Sequence, residues 1–266
     1  MSGAKVVVNL AHGGGGSSWE AIEKALVGSA RLVADACISA STERLVHVGS
    51  IAGLYLGNDG EVVTGATPPD PIDTKRGDYA RAKAIADRML MQMSGAGTLR
   101  VCILRPGLVV GEGTSPFHSG LGTFNNDQHC LGWNSGVNPL PFVLVDDVAD
   151  AIARCITAPN VIGKAYNLVG PVRPSAREFI SELAKASARP LRFHTSSVAK
   201  LFGAEFGKWL IKRAVGRRAP FPSVRDFRSR GLTASFDCSD AVRDFGWATT
   251  ADRQAFFDGA FRGVRR

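Results

Sequence analysis

A parallel α/β sheet covered by helices, followed by a smaller and mostly helical lobe, is the fold class that the sequence predicts. Three observations carry it. Short, apolar, β-branched runs recur through the first two thirds of the chain, as buried parallel strands do. Segments with helical periodicity alternate with them. After Gly170 the strand-like runs give way to helical ones, so the organisation expected is residues 1–170 as the sheet domain and residues 171–266 as the second lobe.

The strands expected are "KVVVNLA" (5–11), "RLVHVGS" (44–50), "LRVCILR" (99–105) and "PFVLV" (141–145), with "KAYNLVG" (164–170) as a weaker fifth. The first helix starts near Ser17, where Ser17 and Glu20 have the spacing of a capping box. A second runs through "RGDYARAKAIADRMLMQM" and a third through "DDVADAIARCITA". Beyond Gly170, "RPSAREFISELAKASA" opens with a second capping box, Ser175 to Glu178. "SSVAKLFGAEFGKWLIKRAV" is amphipathic, and the tail reads as two short helices around Gly246-Trp247. The Gly-, Asn- and His-rich stretch from 107 to 141 is too polar for core and reads as a long functional loop.

Composition narrows the function. With 266 residues, 45% hydrophobic and 21% charged, a buried core is expected and disorder is not. No apolar run approaches the roughly 20 residues that span a bilayer. A short polar stretch and then a strand follow Met1, where a secretory leader would carry an apolar run. The five cysteines are scattered and form no C-x-x-C pair, which reads as reduced thiols in a cytoplasmic protein with neither a disulfide framework nor a metal site. The net charge of +8 favours anionic ligands. Much of that charge lies late, around "KWLIKRAVGRR", where a basic amphipathic helix could meet a membrane or nucleic acid. Phe206 and Trp209 are more simply core residues of the second lobe, so neither partner is expected.

Chemistry enters at Tyr79 and Lys83. Their Y-x-x-x-K spacing puts a phenol and an ammonium on one helix face. There the ammonium is expected to lower the phenol's pKa from near 10 towards neutrality and make it a proton carrier for an alcohol or carbonyl. Upstream, "RLVHVGSIAG" ends a strand with Ser50 at its carboxyl edge, where open α/β sheets keep ligands. Downstream, "LRPGLVVGEG" leaves the next strand at that edge, and "FVLVDDVADAI" follows.

In that order and spacing, the set resembles the extended short-chain dehydrogenase/reductase family, also called NAD-dependent epimerase/dehydratases. The resemblance runs from about Lys5 to Gly170, with a looser echo in "FDCSDAVRDFGW". It implies a Rossmann-like, doubly wound sheet and an NAD- or NADP-dependent enzyme acting on a secondary alcohol or ketone, with nucleotide-sugars among the substrates. It implies Tyr79 as acid/base, Lys83 as its partner and a ribose ligand, and Ser50 as a donor to the reacting oxygen. Arg105, Pro106 and Gly107 would flank the nicotinamide. "VVVNLAHGGGG" matches the family's fourth strand, since Gly13 stands only 66 residues before Tyr79. Asn9, Leu10, Ala11 and His12 would then approach the adenosine and ribose side, and the glycines would be a connector.

The resemblance therefore implies a Rossmann-like domain that is N-terminally incomplete, without the glycine-rich pyrophosphate loop. Such a chain would hold the cofactor weakly by itself. For the substrate, Arg228 and Arg230 are candidate diphosphate ligands, and Trp133, Asn134 and Asn138 candidate contacts to a ring. The sequence leaves a homodimer open. The competing reading is a non-catalytic truncated relative that binds a nucleotide or a protein partner.

Overall fold

The computed structural model describes residues 3–11, 18–56, 60–126, 128–217 and 219–264. His12, Gly13 to Gly16 and Ser17 lie outside them.

The chain begins with β1 (Val6–Asn9). Helix α1 (Trp19–Glu23) is capped by Ser18, whose hydroxyl accepts from the Ala21 N–H, one residue after the serine read from the sequence. A π-turn (Lys24–Gly28) joins it to α2 (Ser29–Ser39), and β2 (Arg44–Val48) follows. A single 3-10 turn (Ile51–Gly53), the short β3 (Glu61–Val63) and a second such turn (Asp73–Lys75) lead to α3 (Asp78–Gly95). Then come β4 (Val101–Pro106), β5 (Leu108–Val110), β6 (Gly122–Asn125), β7 (His129–Gly132) and β8 (Phe142–Leu144). Helix α4 (Val145–Thr157), β9 (Lys164–Leu168), α5 (Ala176–Ser187), β10 (Arg192–His194) and α6 (Val198–Ala214) continue the chain. It closes with α7 (Val224–Gly231), β11 (Ala234–Phe236), α8 (Ser239–Phe245) and α9 (Arg253–Ala260).

The main sheet has the order β1-β2-β4-β9, with every pairing parallel. Alternation along each strand sends side chains to opposite faces. Leu45, Val101 and Ile103 pack with Ala30, Ala34 and Cys37 of α2 and with Ala86, Met89 and Leu90 of α3. Val46, Cys102 and Leu104 pack on the other face with Val148, Ala151 and Cys155 of α4 and Phe245 of α8. Helices therefore cover both faces, as a doubly wound sheet requires. A separate core holds Phe142, Phe179, Ile180, Leu183, Phe256 and Phe257. The Ser175–Glu178 capping box is present at the start of α5.

Two expectations are corrected. "PFVLV" is not a strand of the main sheet: β8 pairs with β5 in a two-stranded sheet, and the fourth position is taken by β9, which read as the weaker run. The cause lies at Gly107. The Leu108 N–H donates to the Pro141 carbonyl at 2.8 Å, and a Cβ on Gly107 would overlap that carbonyl oxygen. The chain thus leaves β4 at a glycine and turns towards residue 141. Gly107→Ala is expected to cost about 3 kcal/mol, since the clash is with backbone and cannot be relieved by a rotamer. Urea unfolding of the two proteins checks this.

The 107–141 stretch is also no plain loop. It contains β5, β6 and β7, and Leu121, Cys130 and Trp133 are buried within it. Its apolar runs are no longer than three residues and lie among Gly, Asn and His, which hid them from a composition argument. β7 pairs with β6 and with β10, and β11 pairs with β3, so strand pairings link both halves of the chain.

Candidate active site

The carboxyl ends of β1, β2 and β4 open onto a cleft of about 790 Å³. Among its walls are Leu10, Ser50, Tyr79, Lys83, Pro106 and Gly107 from the sheet side, and Arg230 from α7. The phenol, the ammonium and the serine hydroxyl, 33 residues apart in sequence at most, thus share one cavity. Its size suits one organic ligand, and its place is where parallel sheets bind them.

Ser50 ends the β2 segment in extended backbone and caps the turn after it, accepting from the Ala52 N–H at 3.1 Å. It also hydrogen-bonds the Tyr79 hydroxyl. Tyr79 sits in the first turn of α3, 40% exposed as a residue and part of the cleft wall. Lys83, one turn on, is buried; its Nζ donates to the Val48 carbonyl at 3.4 Å and lies 5.9 Å from the Tyr79 ring centroid.

The electrostatics differ from expectation. Burial pushes the Tyr79 phenol above its ordinary value; the Ser50 hydrogen bond opposes this and the Asp87 charge adds to it. Burial also lowers the Lys83 ammonium, with Asp87 opposing. Burial outweighs the Ser50 hydrogen bond, so the tyrosine is held as a neutral acid.

Asp87 is the residue that sequence reasoning missed. It continues the four-residue spacing of Tyr79 and Lys83 into the protein, and is fully buried. Its Oδ2 accepts from Arg105 Nε at 2.8 Å, while its Oδ1 has no hydrogen-bond partner among the described residues. Gly49 makes room for it: a Cβ there would stand 2.6 Å from Oδ1. Beside Lys83, His47 is buried and held neutral, its pKa pulled down to about 3 by burial and by the lysine's charge.

A second network ties the serine loop to α3 and α7. Arg76 donates to the Leu54 carbonyl at 2.9 Å, to Ala52 at 3.2 Å, to Asp70 at 3.0 Å and to Asp226. Asp226 also accepts the Gly77 N–H at 2.6 Å at the head of α3, and Arg225 pairs with Asp70 at 2.7 Å. Such buried, fully engaged networks hold loops in one arrangement.

The remaining candidates divide. Leu10, Pro106 and Gly107 line the cleft. Arg105 does not: its guanidinium is committed to Asp87 and to the Gly65 and Thr67 carbonyls. Asn9 is buried, bonded to His47 at 3.1 Å and to the Ala11 N–H at 3.0 Å, so it shapes the end of β1, and Ala11 lies outside the cleft wall. His12 lies outside the described residues.

Trp133, Asn134 and Asn138 serve packing. The indole donates to the Ser119 carbonyl at 2.8 Å, and both asparagines reach the Gly231 carbonyl. Arg228 is exposed and away from the cleft wall, whereas Arg230 lines it with its guanidinium 4.6 Å from the Trp133 ring centroid. His118, not singled out in the sequence, also lines the cleft; its Nδ1 accepts the Gly120 N–H at 3.0 Å.

A nicotinamide and its ribose fit this donor set: a hydroxyl, a phenol and an ammonium around an open strand edge. No glycine-rich turn for the pyrophosphate is among the described lining residues.

Comparison with known proteins gives the family and the fold. The NAD dependent epimerase/dehydratase family matches over residues 1–169. A UDP-glucose 4-epimerase from Vibrio cholerae is 24% identical over 179 residues, covering 66% of this chain and 54% of that protein, so the match spans about half the relative's length. UDP-glucuronic acid 4-epimerase from Bacillus cereus, solved with NAD, superposes with a TM-score of 0.69 at 16% identity, over 98% of this chain and 72% of that one. DesIV, a dTDP-glucose 4,6-dehydratase from Streptomyces venezuelae solved with NAD and TYD, gives 0.67 at 17% identity, over 99% and 73%. These likenesses share the fold. Among the described residues no helix is long and apolar enough to cross a membrane. With its matched residues reaching from the first strand to the end of β9 and its hydroxyl–phenol–ammonium cleft at the sheet's edge, the chain belongs to the NAD-dependent epimerase/dehydratase family.

Proposed function

We propose that this chain carries the proton-transfer site of an NAD(P)-dependent enzyme that oxidises or reduces a secondary alcohol or ketone, of the epimerase, dehydratase or dehydrogenase type, on a nucleotide-sugar. The observation that carries the reading is the meeting of Ser50, Tyr79 and Lys83 in one cleft at the carboxyl edge of the sheet.

The cofactor, when bound, accepts or supplies a hydride. The chain's own residues handle the proton and the charge. In reduction Tyr79, neutral and hydrogen-bonded to Ser50, donates its proton to the developing alkoxide oxygen that Ser50 orients; in oxidation the phenolate form takes the carbinol proton, so that direction gains rate as pH rises. Lys83 places a positive charge beneath the ring, with its side chain fixed by Val48 and Asp87. Leu10, Pro106 and Gly107 form the apolar wall against which a nicotinamide ring would lie. At another part of the wall, Arg230 and His118 supply donors for a diphosphate. A homodimer belongs to the same proposal, with the exposed Leu32 and Ile38 of α2 as positions it would cover.

The second reading is a relative that binds a nucleotide without turnover, and it draws on the donors Arg230 and His118 at the cleft wall. Calorimetric titration with NAD+, NADH, NADP+ and NADPH separates the two. The enzyme reading expects binding of one cofactor pair that weakens about tenfold or more in Lys83→Met. Heat from UDP or dTDP with none from any nicotinamide dinucleotide would favour the binding protein.

A further inference from the structure

Helix α6 has apolar residues on opposite sides. Phe202, Phe206 and Trp209 share one face at the i, i+4, i+7 spacing and meet Phe221, with Phe202 also against Phe227. Ile211 lies on the far side, 67% exposed; Leu210 is 48% exposed and Val215, just after the helix, 65%. No residue of α6 is fully buried, so the apolar side chains on both sides of it remain in part open to solvent. Phe206 and Trp209, expected as core residues, are instead half-buried in this aromatic cluster.

The exposed apolar residues are surrounded by cations. Lys200, Lys208, Lys212, Arg213 and Arg217 are exposed around them; Glu205, the one acidic residue of the helix, pairs with Lys208 at 2.6 Å and leaves the other four cations in excess. Phe221 and Val224, each more than half exposed, extend the apolar surface towards α7. A second copy of this chain would set these like charges against each other, on a protein whose net charge is +8. An anionic partner relieves them instead. Long basic side chains can lay their stems on an apolar surface and carry their charges to a polar boundary.

We propose that the α6 face, centred on Leu210, Ile211 and Val215 and rimmed by Lys208, Lys212, Arg213 and Arg217, attaches the protein reversibly to an anionic phospholipid surface. The apolar residues enter the headgroup boundary and the cations meet lipid phosphates. The helix lies on the membrane and does not cross it. The proposal stands apart from the cleft chemistry, although α7, which follows α6, supplies Asp226, Ser229 and Arg230 to the cleft wall.

Co-sedimentation of the intact protein with vesicles of phosphatidylcholine, with and without phosphatidylglycerol, tests it. Binding is expected with the anionic vesicles alone, weakening as salt rises. The double variant Lys212→Gln/Arg217→Gln should weaken it about 25-fold, at about fivefold per cation. Ile211→Asp/Val215→Asp should abolish it with thermal unfolding unchanged, because both positions are on the surface. Three results would overturn the proposal: no binding to anionic vesicles at low salt, binding indifferent to Ile211→Asp/Val215→Asp, or a dimer in solution that this variant dissociates while vesicles capture nothing.

Discussion

Tyr79→Phe should reduce turnover by about 10²- to 10⁴-fold while leaving cofactor affinity within a factor of about two. The substitution removes one oxygen and keeps the ring in the first turn of α3, so Lys83 and the cleft wall keep their places. What is lost is the proton itself, together with the hydrogen bond to Ser50. Because burial holds this phenol above its ordinary value, the protonated form dominates throughout the neutral range. In the reducing direction the wild-type rate should therefore be flat between about pH 6 and 9 and fall only as pH rises through the phenol's own pKa. Ser50→Ala should give a smaller loss, since it removes the orienting hydroxyl and leaves the acid. Steady-state kinetics in both directions, with cofactor binding measured separately, distinguish proton transfer from damage to the site.

Arg105→Met should destabilise the fold by about 3–5 kcal/mol. The guanidinium is 2% exposed and Asp87 is fully buried, so the substitution leaves a carboxylate with no compensating charge at that oxygen. It also removes the donors to the Gly65 and Thr67 carbonyls. Asp87→Leu combined with Arg105→Met should cost less than the sum of the two single changes, by about 1–3 kcal/mol of coupling. Urea unfolding with an unchanged slope would report stability alone. The pair also bears on the site. Asp87 holds the negative charge beneath Lys83 and raises that ammonium against the effect of burial.

These two residues show what a sequence reading reaches and where it stops. Tyr79 and Lys83 were legible because both sit on one helix, and a four-residue spacing guarantees a shared face. The place of Ser50 at the cleft was legible from the end of a strand, and that of Leu10, Pro106 and Gly107 from their match to the family. Asp87 obeys the same spacing, but an aspartate in a helix reads as a solvated face until β4 brings Arg105 against it. Arg105 read as a neighbour of the nicotinamide because the resemblance to the family implied it; its partner Asp87 became visible only in three dimensions.

The strands of the main sheet were readable as apolar runs, yet a run does not state its partner. "PFVLV" left the sheet because Gly107 admits the Pro141 carbonyl. Trp133, Asn134 and Asn138 looked like ligand contacts in a polar stretch, whereas the backbone of Gly231, 93 residues or more away, takes both asparagine side chains. The phenol's pKa was misjudged for a similar reason. Spacing places the lysine under the ring, and only packing shows how strongly burial penalises the phenolate.

The most direct test follows a labelled hydrogen in one turnover. A nucleotide-diphosphate sugar deuterated at the carbinol carbon is mixed with the protein and the oxidised cofactor, and the quenched cofactor is analysed by mass spectrometry. If the shared cleft is a site of hydride and proton exchange, deuterium appears on the nicotinamide with wild type and is lost with Tyr79→Phe. Label that never leaves the sugar, or that moves equally well without the phenol's oxygen, would contradict it.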